Sequence, residues 1–496
     1  MSLSYNIPFL SIMLTLVSGI LVPLIRREGG ALRLIRGVQL GVAGLSALLL
    51  VRLSGAGASF SYPMGHIPAP WGNELRAGPL EALLALTFSV VMLLSLSGGA
   101  EDLRRDVRPD RQGWYCLLMQ LLFGALLAMV YTDDLFTGYV FVEIAAVTAC
   151  IAVAAKESGR SVVAAIRYLI FSCLGSGLVL LGIAMLYCIT GQLLFSGLEE
   201  AVARLVQSGE YSLPLVVSAL LMTLGLSIKS AQFPFHAWLP DAHASATTAS
   251  SAILSGLVLK GYLVLLLKLI LRVFGPALIV STYIDDLLFL LGLTGMLFAS
   301  VAALRQEEVK RMIAYSSSAQ ISYIFLALGL GSEAGWTAAC YQILAHAMTK
   351  SMIFVGAGEM IRASGGHYWG ELRGAARLAP LGGAAFTVGG LSLCGLPLLA
   401  GFSAKYCIAA AVDAEWQTAP ALFGLAASSV LNAMYYIPAI LAIWGRARAN
   451  EDAPLVWMRG NGEGKCAILL FLAGNLLLGT AFGPVRGLIQ QGLSLF

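Results

Sequence analysis

"LSIKSAQFPFHAWLPDAHAS", residues Leu226–Ser245, begins as the end of an apolar run and continues with groups that such runs usually lack. It contains Lys229, followed by two prolines, two histidines and an aspartate. A charged side chain inside an apolar run is costly in a membrane and is usually retained for a function. The meaning of Lys229 therefore depends on what kind of chain surrounds it.

The surrounding chain has the composition of a membrane protein. Apolar residues make up 58% of the 496 residues and charged residues only 12%. The mean hydropathy is +0.83, far above the value of a soluble globular chain. The formal net charge of +4 is small and does not indicate nucleic-acid binding. We therefore predict a polytopic membrane protein.

Apolar runs long enough to cross a hydrocarbon core recur along the whole chain. Crossing about 30 Å of hydrocarbon takes about 20 helical residues. Backbone groups in lipid must be satisfied internally, and the runs are too long for barrel strands, so we predict an all-α fold. There are about 14 such segments, which we number in chain order: 7–25, 32–53, 80–97, 114–131, 134–155, 163–189, 213–232, 246–272, 281–304, 311–330, 335–361, 381–411, 418–444 and 465–485.

Lysines and arginines are concentrated in the odd-numbered loops. Most of the 31 cations lie at Arg26–Arg36, Arg104–Arg111, Lys156–Arg160, Arg305–Arg311, Arg362–Arg377 and Arg446–Lys465. By the positive-inside rule these loops are cytoplasmic. We predict a multi-pass protein of the cell inner (cytoplasmic) membrane with both termini facing outward.

After the cations of the loops, the termini and the outermost segment ends are set aside, six remain within the segments: Arg167, Lys229, Lys260, Lys268, Lys350 and Lys405. Arg167 and Lys268 lie about one turn from a segment end, so they are expected to snorkel to the headgroup region. Lys260 and Lys350 lie about 14 residues into their segments, or about 21 Å deep, which is too far for snorkelling. Hydropathy alone leaves Lys229 open between an edge position and a functional one.

One acid and one histidine complete this set. Glu143 is the only carboxylate near the middle of a segment, and His346 lies four residues before Lys350 on the same face of segment 11. A proton relay needs titratable groups at mid-membrane depth with water between them. These residue types are therefore typical of proton translocation.

Several ordered motifs carry a resemblance to a known family: "KSAQFPFHAWLPDAH" from residue 229, "EEVKRMIAYSSSAQISYIFLALGLG" from residue 307 and "LAHAMTKSMIFVGAGEM" from residue 344. With them the chain resembles the antiporter-like ion-pumping subunits. That superfamily includes membrane subunits of respiratory complex I, of energy-converting membrane-bound hydrogenases and formate hydrogenlyases, and of Mrp cation/proton antiporters. The resemblance extends from about Tyr131 to Lys405 and implies a fold, a function and site residues.

The resemblance implies a role for each buried charge. Glu143 matches the glutamate that pairs with the lysine of segment 7, here Lys229. Lys260 matches a bridging lysine, and Lys405 matches the last charged residue of the relay. His346 and Lys350 match the relay of segment 11. Lys405 stands where one complex I branch has glutamate, so we expect Lys405→Glu to retain partial transport and Lys405→Ala to retain little.

The resemblance also implies two inverted five-helix repeats within one membrane domain, 1–496. The repeats are expected at 114–272 and 281–444, with flanking helices in 1–113 and 445–496. Each repeat should contain one broken helix, at Lys229 in segment 7 and in "CGLPLLAGFSAK" (394–405) of segment 12. Irregular backbone at membrane depth is tolerated where it lines a polar cavity, so the paired breaks should mark the transport path.

The predicted function is translocation of protons, or of sodium and protons, in a complex I-like or energy-converting hydrogenase complex or in an Mrp antiporter. Expected partners are other membrane subunits, a peripheral redox module with Fe–S clusters, protons and Na⁺, but no nucleic acid. No motif indicates a cofactor, a metal or redox chemistry in this chain. A stand-alone secondary solute transporter and a degenerate structural scaffold subunit remain alternatives. His236 and His243 are expected in the cytoplasmic loop after segment 7, where they either support the loop structure or line the proton entry; their spacing fits no metal motif.

Overall fold

A computed structural model describes residues 3–25, 29–67, 72–413, 415–446 and 462–496. Some of the cations behind the orientation prediction lie outside the described residues, namely Arg26, Arg27, Arg448 and Arg459. Within the described part, helices dominate, and every predicted segment corresponds to a helix or to a pair of helices. The all-α prediction is confirmed.

Segments 1 to 6 are single helices: Ile7–Leu21, Gly30–Ala56, Pro79–Gly98, Pro109–Tyr131, Leu135–Ala154 and Gly159–Thr190. Segment 7 is the pair Ser212–Lys229 and Trp238–Ser245, and segment 8 extends over Thr248–Ser281. Segments 9 to 14 are Ile284–Leu304, Val309–Leu328, Glu333–Ser364, the pair Pro380–Cys394 with Ala400–Ala410, Glu415–Trp444 and Gly462–Thr480.

By length and apolar composition, 11 of the described helices could cross a membrane. Segments 10, 11 and 12 are not among them. Segment 10 contains a run of serines, segment 11 contains His346 and Lys350, and segment 12 is broken. Segments 10 and 11 thus carry polar side chains into the bundle, whereas the two helices of segment 12 are each too short to cross alone.

The connecting elements define two sides of the molecule, which we name the odd-loop side and the even-loop side after the loops on each. The even-loop side carries a hairpin, in which Phe60–Pro63 pairs antiparallel with Glu74–Ala77. It also carries the amphipathic helix Phe195–Ser208 and the final helix Phe482–Leu493. The short helix Ala100–Asp106 lies on the odd-loop side.

Segment 7 is broken at the predicted position. Its first helix ends at Lys229, and a short 3-10 turn, Phe235–Ala237, precedes the second helix. Ala231 between them has a φ of 55°, a left-handed conformation that is strained for a residue with a Cβ. Trp238 then stacks on Tyr168 of segment 6 with ring centroids 4.1 Å apart.

Segment 12 is broken where the sequence weakens its helix. The helix Pro380–Cys394 ends before Gly395, which has a φ of 97° and so needs a glycine. The second helix begins at Ala400, and a Cβ at Gly401 would collide with the carbonyl oxygen of Ser392. Both breaks exist, whereas the repeat boundaries at 114–272 and 281–444 stay a prediction.

Segment 8 is irregular in a way that the sequence did not predict. π-helical turns occur at Leu254–Val258 and Leu269–Phe274, on either side of the α-helix Leu259–Lys268. Such turns are rare and are frequently found at functional sites. Lys260 lies two residues after the first of them.

Candidate ion-translocation site

Glu143 and Lys229 form an ion pair between segments 5 and 7. The Lys229 Nζ lies 3.1 Å from the Glu143 Oε1, and the lysine side chain is fully buried while 32% of the glutamate side chain is exposed. Lys229 is the last residue of its half-helix, where free carbonyl groups favour a cation. The pairing that the resemblance implied is present in the structure.

Segment 6 supports this pair. Ser176 Oγ donates to Glu143 Oε1, and Lys229 Nζ donates to Ser172 Oγ at 2.9 Å. Gly175 makes the approach possible, because a Cβ there would lie 3.0 Å from the Lys229 Cγ and 2.8 Å from a carbonyl oxygen of segment 7. A serine on each side of one glycine thus holds the acid and the lysine together.

Lys260 is completely buried in segment 8. Its Nζ donates to the carbonyl oxygen of Ser255, which lies in the π-helical turn. Of the four lysines at positions 229, 260, 350 and 405, only Lys229 forms an ion pair within the described part of the chain. A charge on Lys260 therefore has no carboxylate beside it there.

Lys350 is also completely buried, but it has several neutral partners. Its Nζ donates to Ile313 O at 2.9 Å, to Ser316 Oγ at 2.8 Å and to Tyr436 Oη at 3.3 Å. His346, one turn earlier, is buried, and neither ring nitrogen has a hydrogen-bond partner in the described protein. Buried polar groups are normally satisfied by protein or water, and at His346 the described protein supplies neither ring nitrogen with a partner.

Lys405 lies in the second half of segment 12 and reaches back to the break. Its Nζ donates to Leu393 O at 2.7 Å, to Cys394 O at 3.3 Å and to Ser429 Oγ at 2.8 Å. Leu393 and Cys394 end the first half-helix, so the ammonium group lies at its negative end. In both broken segments a lysine thus lies at the C-terminal end of the first half-helix: Lys229 is its last residue, and Lys405 reaches it with the ammonium group.

The structure links the central residues electrostatically. Positive charges on Lys260, His346 and Lys350 would repel one another, because all three residues are buried in segments 8 and 11, which pack together. Because the interactions are between groups of like sign, a charge on one lysine raises the free energy of a charge on the other. A proton relay needs this property, since a proton that arrives at one of these residues favours the release of a proton from the next. We call the titratable residues of the proposed relay its stations.

A polar cavity of about 80 Å³ lies on the odd-loop side. Asp102, Asp106, Thr248 and Lys310 are among its lining residues, and Lys310 Nζ donates to Ala246 O at 2.9 Å. His367 also lines it, and burial together with nearby Lys310 lowers the pKa of that imidazole. Thr248, the first residue of the helical part of segment 8, therefore borders this polar cavity.

His243 is a functional candidate whose position the sequence analysis placed wrongly. It lies in the helix Trp238–Ser245, completely buried, and not in a loop. Its ring stacks on Phe354 of segment 11 at 4.5 Å, and neither nitrogen has a hydrogen-bond partner in the described protein. The apolar residues Trp238, Leu239 and Ala242 around it follow helical spacing, which is a signal that could have identified the helix.

The two cations expected at the membrane edge differ from each other. Arg167 is exposed and pairs with Asp241 at 2.5 Å, in agreement with an edge position. Lys268 is 1% exposed and donates to the carbonyl oxygens of Val130 and Thr132. The snorkelling prediction for Lys268 is wrong, because the side chain turns toward the end of segment 4 and not toward lipid headgroups.

Lys268→Ala should therefore lower the stability of the protein. The change leaves two buried carbonyl groups without their side-chain donor, at a cost of about 1–3 kcal/mol for each group that is not satisfied again. The thermal midpoint of the detergent-solubilised protein measures this effect. Arg204→Ala, on the exposed face of the helix Phe195–Ser208, is the matched control, and equal midpoints for the two variants would contradict the expectation.

Fold and site together define a class: a polytopic membrane protein with two broken helices and a buried row of charges between them. Sequence comparison agrees, since residues 132–430 match the family described as NADH:quinone oxidoreductase/Mrp antiporter, TM. The NADH-quinone oxidoreductase subunit N of Desulforudis audaxviator is 34% identical over 80% of this chain and 79% of its own length. The chain belongs to this antiporter-like family, which confirms the resemblance.

Solved structures show the same fold. A chain of the membrane-bound sulfane sulfur reductase, an archaeal respiratory membrane complex, has a TM-score of 0.86 and 28% identity, covering 99% of this chain and 97% of its own. A chain of the Mrp complex from a Dietzia species has a TM-score of 0.88 and 20% identity, covering 100% and 97%. The homologues are subunits of multisubunit membrane complexes.

Proposed function

We propose that this chain is an ion-translocating subunit that moves protons, or sodium and protons, through Glu143, Lys229, Lys260, His346, Lys350 and Lys405. The observation that carries the proposal is the 3.1 Å ion pair between Glu143 and Lys229, placed at the end of a broken helix. The pair holds the proton of Lys229, and its opening removes the carboxylate that stabilises the charged form. Lys229 then holds its proton less tightly, which favours transfer of the proton toward Lys260.

The later stations pass the proton on by repulsion. Lys260 and Lys350 interact as like charges, and His346 lies within the range of both. Lys405 holds the proton last, at the break in segment 12. Moving one charge against a membrane potential costs about 2.3 kcal/mol per 100 mV. The free-energy change when one buried ion pair opens is large enough to supply this work, because a charge left unpaired in a protein interior costs several kcal/mol.

The exposure of Glu143 supports a neighbouring subunit. A carboxylate that is 32% exposed in the middle of segment 5 would face hydrocarbon in an isolated chain, where a charge is costly. Large apolar side chains on segments 5 and 6 are exposed on each side of it, including Phe136, Val140, Val147, Ile166 and Ile170. We propose that another membrane subunit covers this face and that a peripheral module with Fe–S clusters drives the complex.

The distribution of cations supports an orientation. Described cations such as Lys156, Arg160 and Arg362 lie in the odd-numbered loops, and the positive-inside rule places such loops in the cytoplasm. We propose that the protein lies in the cell inner membrane with both termini on the outer face. The proposed relay then ends at Lys405, at the break in segment 12.

Lys260→Met tests the proposed function. Methionine fills most of the volume of the lysine but carries no proton, so ion flux should be lost while the protein still assembles. Flux is measured in sealed vesicles that contain the intact complex, with a pH-sensitive dye for protons and ²²Na⁺ for sodium. Lys156→Met is the matched control, because Lys156 is partly exposed in an ion pair with Asp106 on the odd-loop side. Wild-type flux in Lys260→Met would rule out the relay.

A further inference from the structure

Segment 10 contains three consecutive serines, Ser316, Ser317 and Ser318, which we call the serine triplet. All three are buried, with at most 1% of each residue exposed. Three buried hydroxyl groups in a row are unusual in a membrane helix, where each must find a partner. Consecutive residues of a helix point in directions about 100° apart, so the triplet can contact three different neighbours.

Each hydroxyl group of the triplet contacts a different part of the relay. Ser316 Oγ accepts from Lys350 Nζ at 2.8 Å. Ser317 Oγ lies 2.8 Å from Ser255 Oγ in segment 8. Ser318 Oγ donates to Ala231 O at 3.0 Å, in the break two residues after Lys229. Segment 10 therefore contacts Lys350 in segment 11, the π-helical turn in segment 8 and the break in segment 7.

The contact between Ser317 and Ser255 connects the surroundings of two lysines, Lys260 and Lys350. Ser317 Oγ donates to Ile313 O at 3.0 Å, and the same carbonyl oxygen accepts from Lys350 Nζ. When the single proton of Ser317 is used in this way, Ser255 Oγ is the donor to Ser317 Oγ. The backbone oxygen of Ser255 in turn accepts from Lys260 Nζ. Two sets of hydrogen bonds, joined by the covalent structure of Ser255, thus connect Lys260 to Lys350 through one serine on each helix.

The contact of Ser318 ties the same helix to the break in segment 7. A second attachment lies beside it, because Ser322 Oγ is 3.0 Å from Gln232 Oε1 and Gln232 Nε2 donates to Leu291 O at 2.6 Å. Gly295 leaves room for this side chain, since a Cβ there would lie 2.7 Å from Gln232 Nε2. The break after Lys229 is thus held by segments 9 and 10 of the opposite half of the chain.

We propose that the serine triplet is a set of positioning residues that couples the break in segment 7 to Lys260 and Lys350. The inference rests on the proposed function, because it assigns the coupling within that relay. When the Glu143–Lys229 pair opens, the end of the half-helix shifts and moves Ala231 relative to Ser318. A displacement of segment 10 changes the partners of Lys260 and Lys350 at the same time. The packed helix transmits this change because it has few alternative hydrogen-bond arrangements.

The test measures ion flux per assembled complex in sealed vesicles for Ser317→Ala and Ser318→Ala. Each should lower flux about tenfold, which corresponds to about 1.4 kcal/mol. Ser317→Thr and Ser318→Thr, which keep the hydroxyl group, should restore most of the flux. Ser300→Ala is the matched control: Ser300 is equally buried and contacts Ser428, but no lysine, so its flux should stay within about twofold of wild type.

A double-mutant cycle tests whether Ser255 and Ser317 affect ion flux through the same contact. Ser255→Ala removes the same contact from segment 8, so the double variant with Ser317→Ala should lose no more flux than either single variant, whereas independent structural defects would add. Additive losses, or alanine variants that behave like Ser300→Ala while Glu143→Gln has no flux, would overturn the coupling and leave the proposed function standing. Wild-type flux in both Glu143→Gln and Lys260→Met would overturn the proposed function, and the coupling with it.

Discussion

Glu143→Gln should abolish ion transport while leaving the protein folded and assembled. Glutamine has nearly the same shape, so its oxygen can still accept from Ser176, but it carries no charge to hold Lys229. The buried ammonium group would then keep neutral acceptors, the glutamine oxygen and Ser172 Oγ, but no negative charge beside it. Breaking a buried ion pair by removing one partner typically costs about 3–5 kcal/mol. The expected loss of flux is therefore at least a hundredfold.

The measurement is ion flux in sealed vesicles, normalised to the amount of assembled complex. Glu200→Gln is the matched control, since it makes the same change on the exposed surface of the helix Phe195–Ser208. Normal flux in Glu200→Gln and none in Glu143→Gln would support the pair. Ion flux at the wild-type rate in Glu143→Gln would show that the Glu143–Lys229 ion pair is structural and not part of transport.

The sequence predicted much of the fold because its main signals are local. Long apolar runs identify the helices, and the breaks follow from Gly395 in segment 12 and from the prolines that come after Lys229. Glu143 and Lys229 also stand out alone, as charges in apolar surroundings. Their contact could not be derived from spacing, because 86 residues separate them; the family resemblance supplied the pairing.

Other features depend on contacts between distant segments and were not accessible in this way. Lys268 lies at the end of a run, so it looked like an edge residue, but the end of segment 4 supplies its partners. His243 lies between the predicted segments 7 and 8, which suggested a loop, yet the chain resumes a helix and buries the ring against Phe354. In both cases tertiary packing overrides a local signal.

The serine triplet shows the same limit for function. In the sequence, Ser316, Ser317 and Ser318 are small polar residues within a family motif, and nothing in the motif distinguishes one from another. Their separate partners become visible only when segments 7, 8 and 11 are packed around segment 10. Single residues with strong chemistry can thus be found from the sequence, whereas the weak groups that connect them require the structure.

Lys405 is the position where the structure changes a sequence-based expectation. The presence of glutamate in one complex I branch suggested that Lys405→Glu would retain partial transport. In this chain, however, the Lys405 ammonium group faces the carbonyl oxygens of Leu393 and Cys394 at the end of a half-helix. A carboxylate there would face two acceptors and the negative end of the helix dipole, and both interactions are unfavourable.

We therefore expect Lys405→Glu and Lys405→Ala to lower the ion flux equally, each at least tenfold relative to wild type. Lys405→Arg keeps the positive charge beside the two carbonyl groups and should assemble normally. Alanine offers no station for the proton, and glutamate fits beside the two carbonyl groups only in its protonated, neutral form, so neither can take up and release a proton at the break. Flux in sealed vesicles, compared with the amount of assembled complex, distinguishes the outcomes. Clearly higher flux in Lys405→Glu than in Lys405→Ala would mean that a titratable group matters more than the carbonyl contacts. Wild-type flux in Lys405→Ala would mean that the exit does not pass through segment 12.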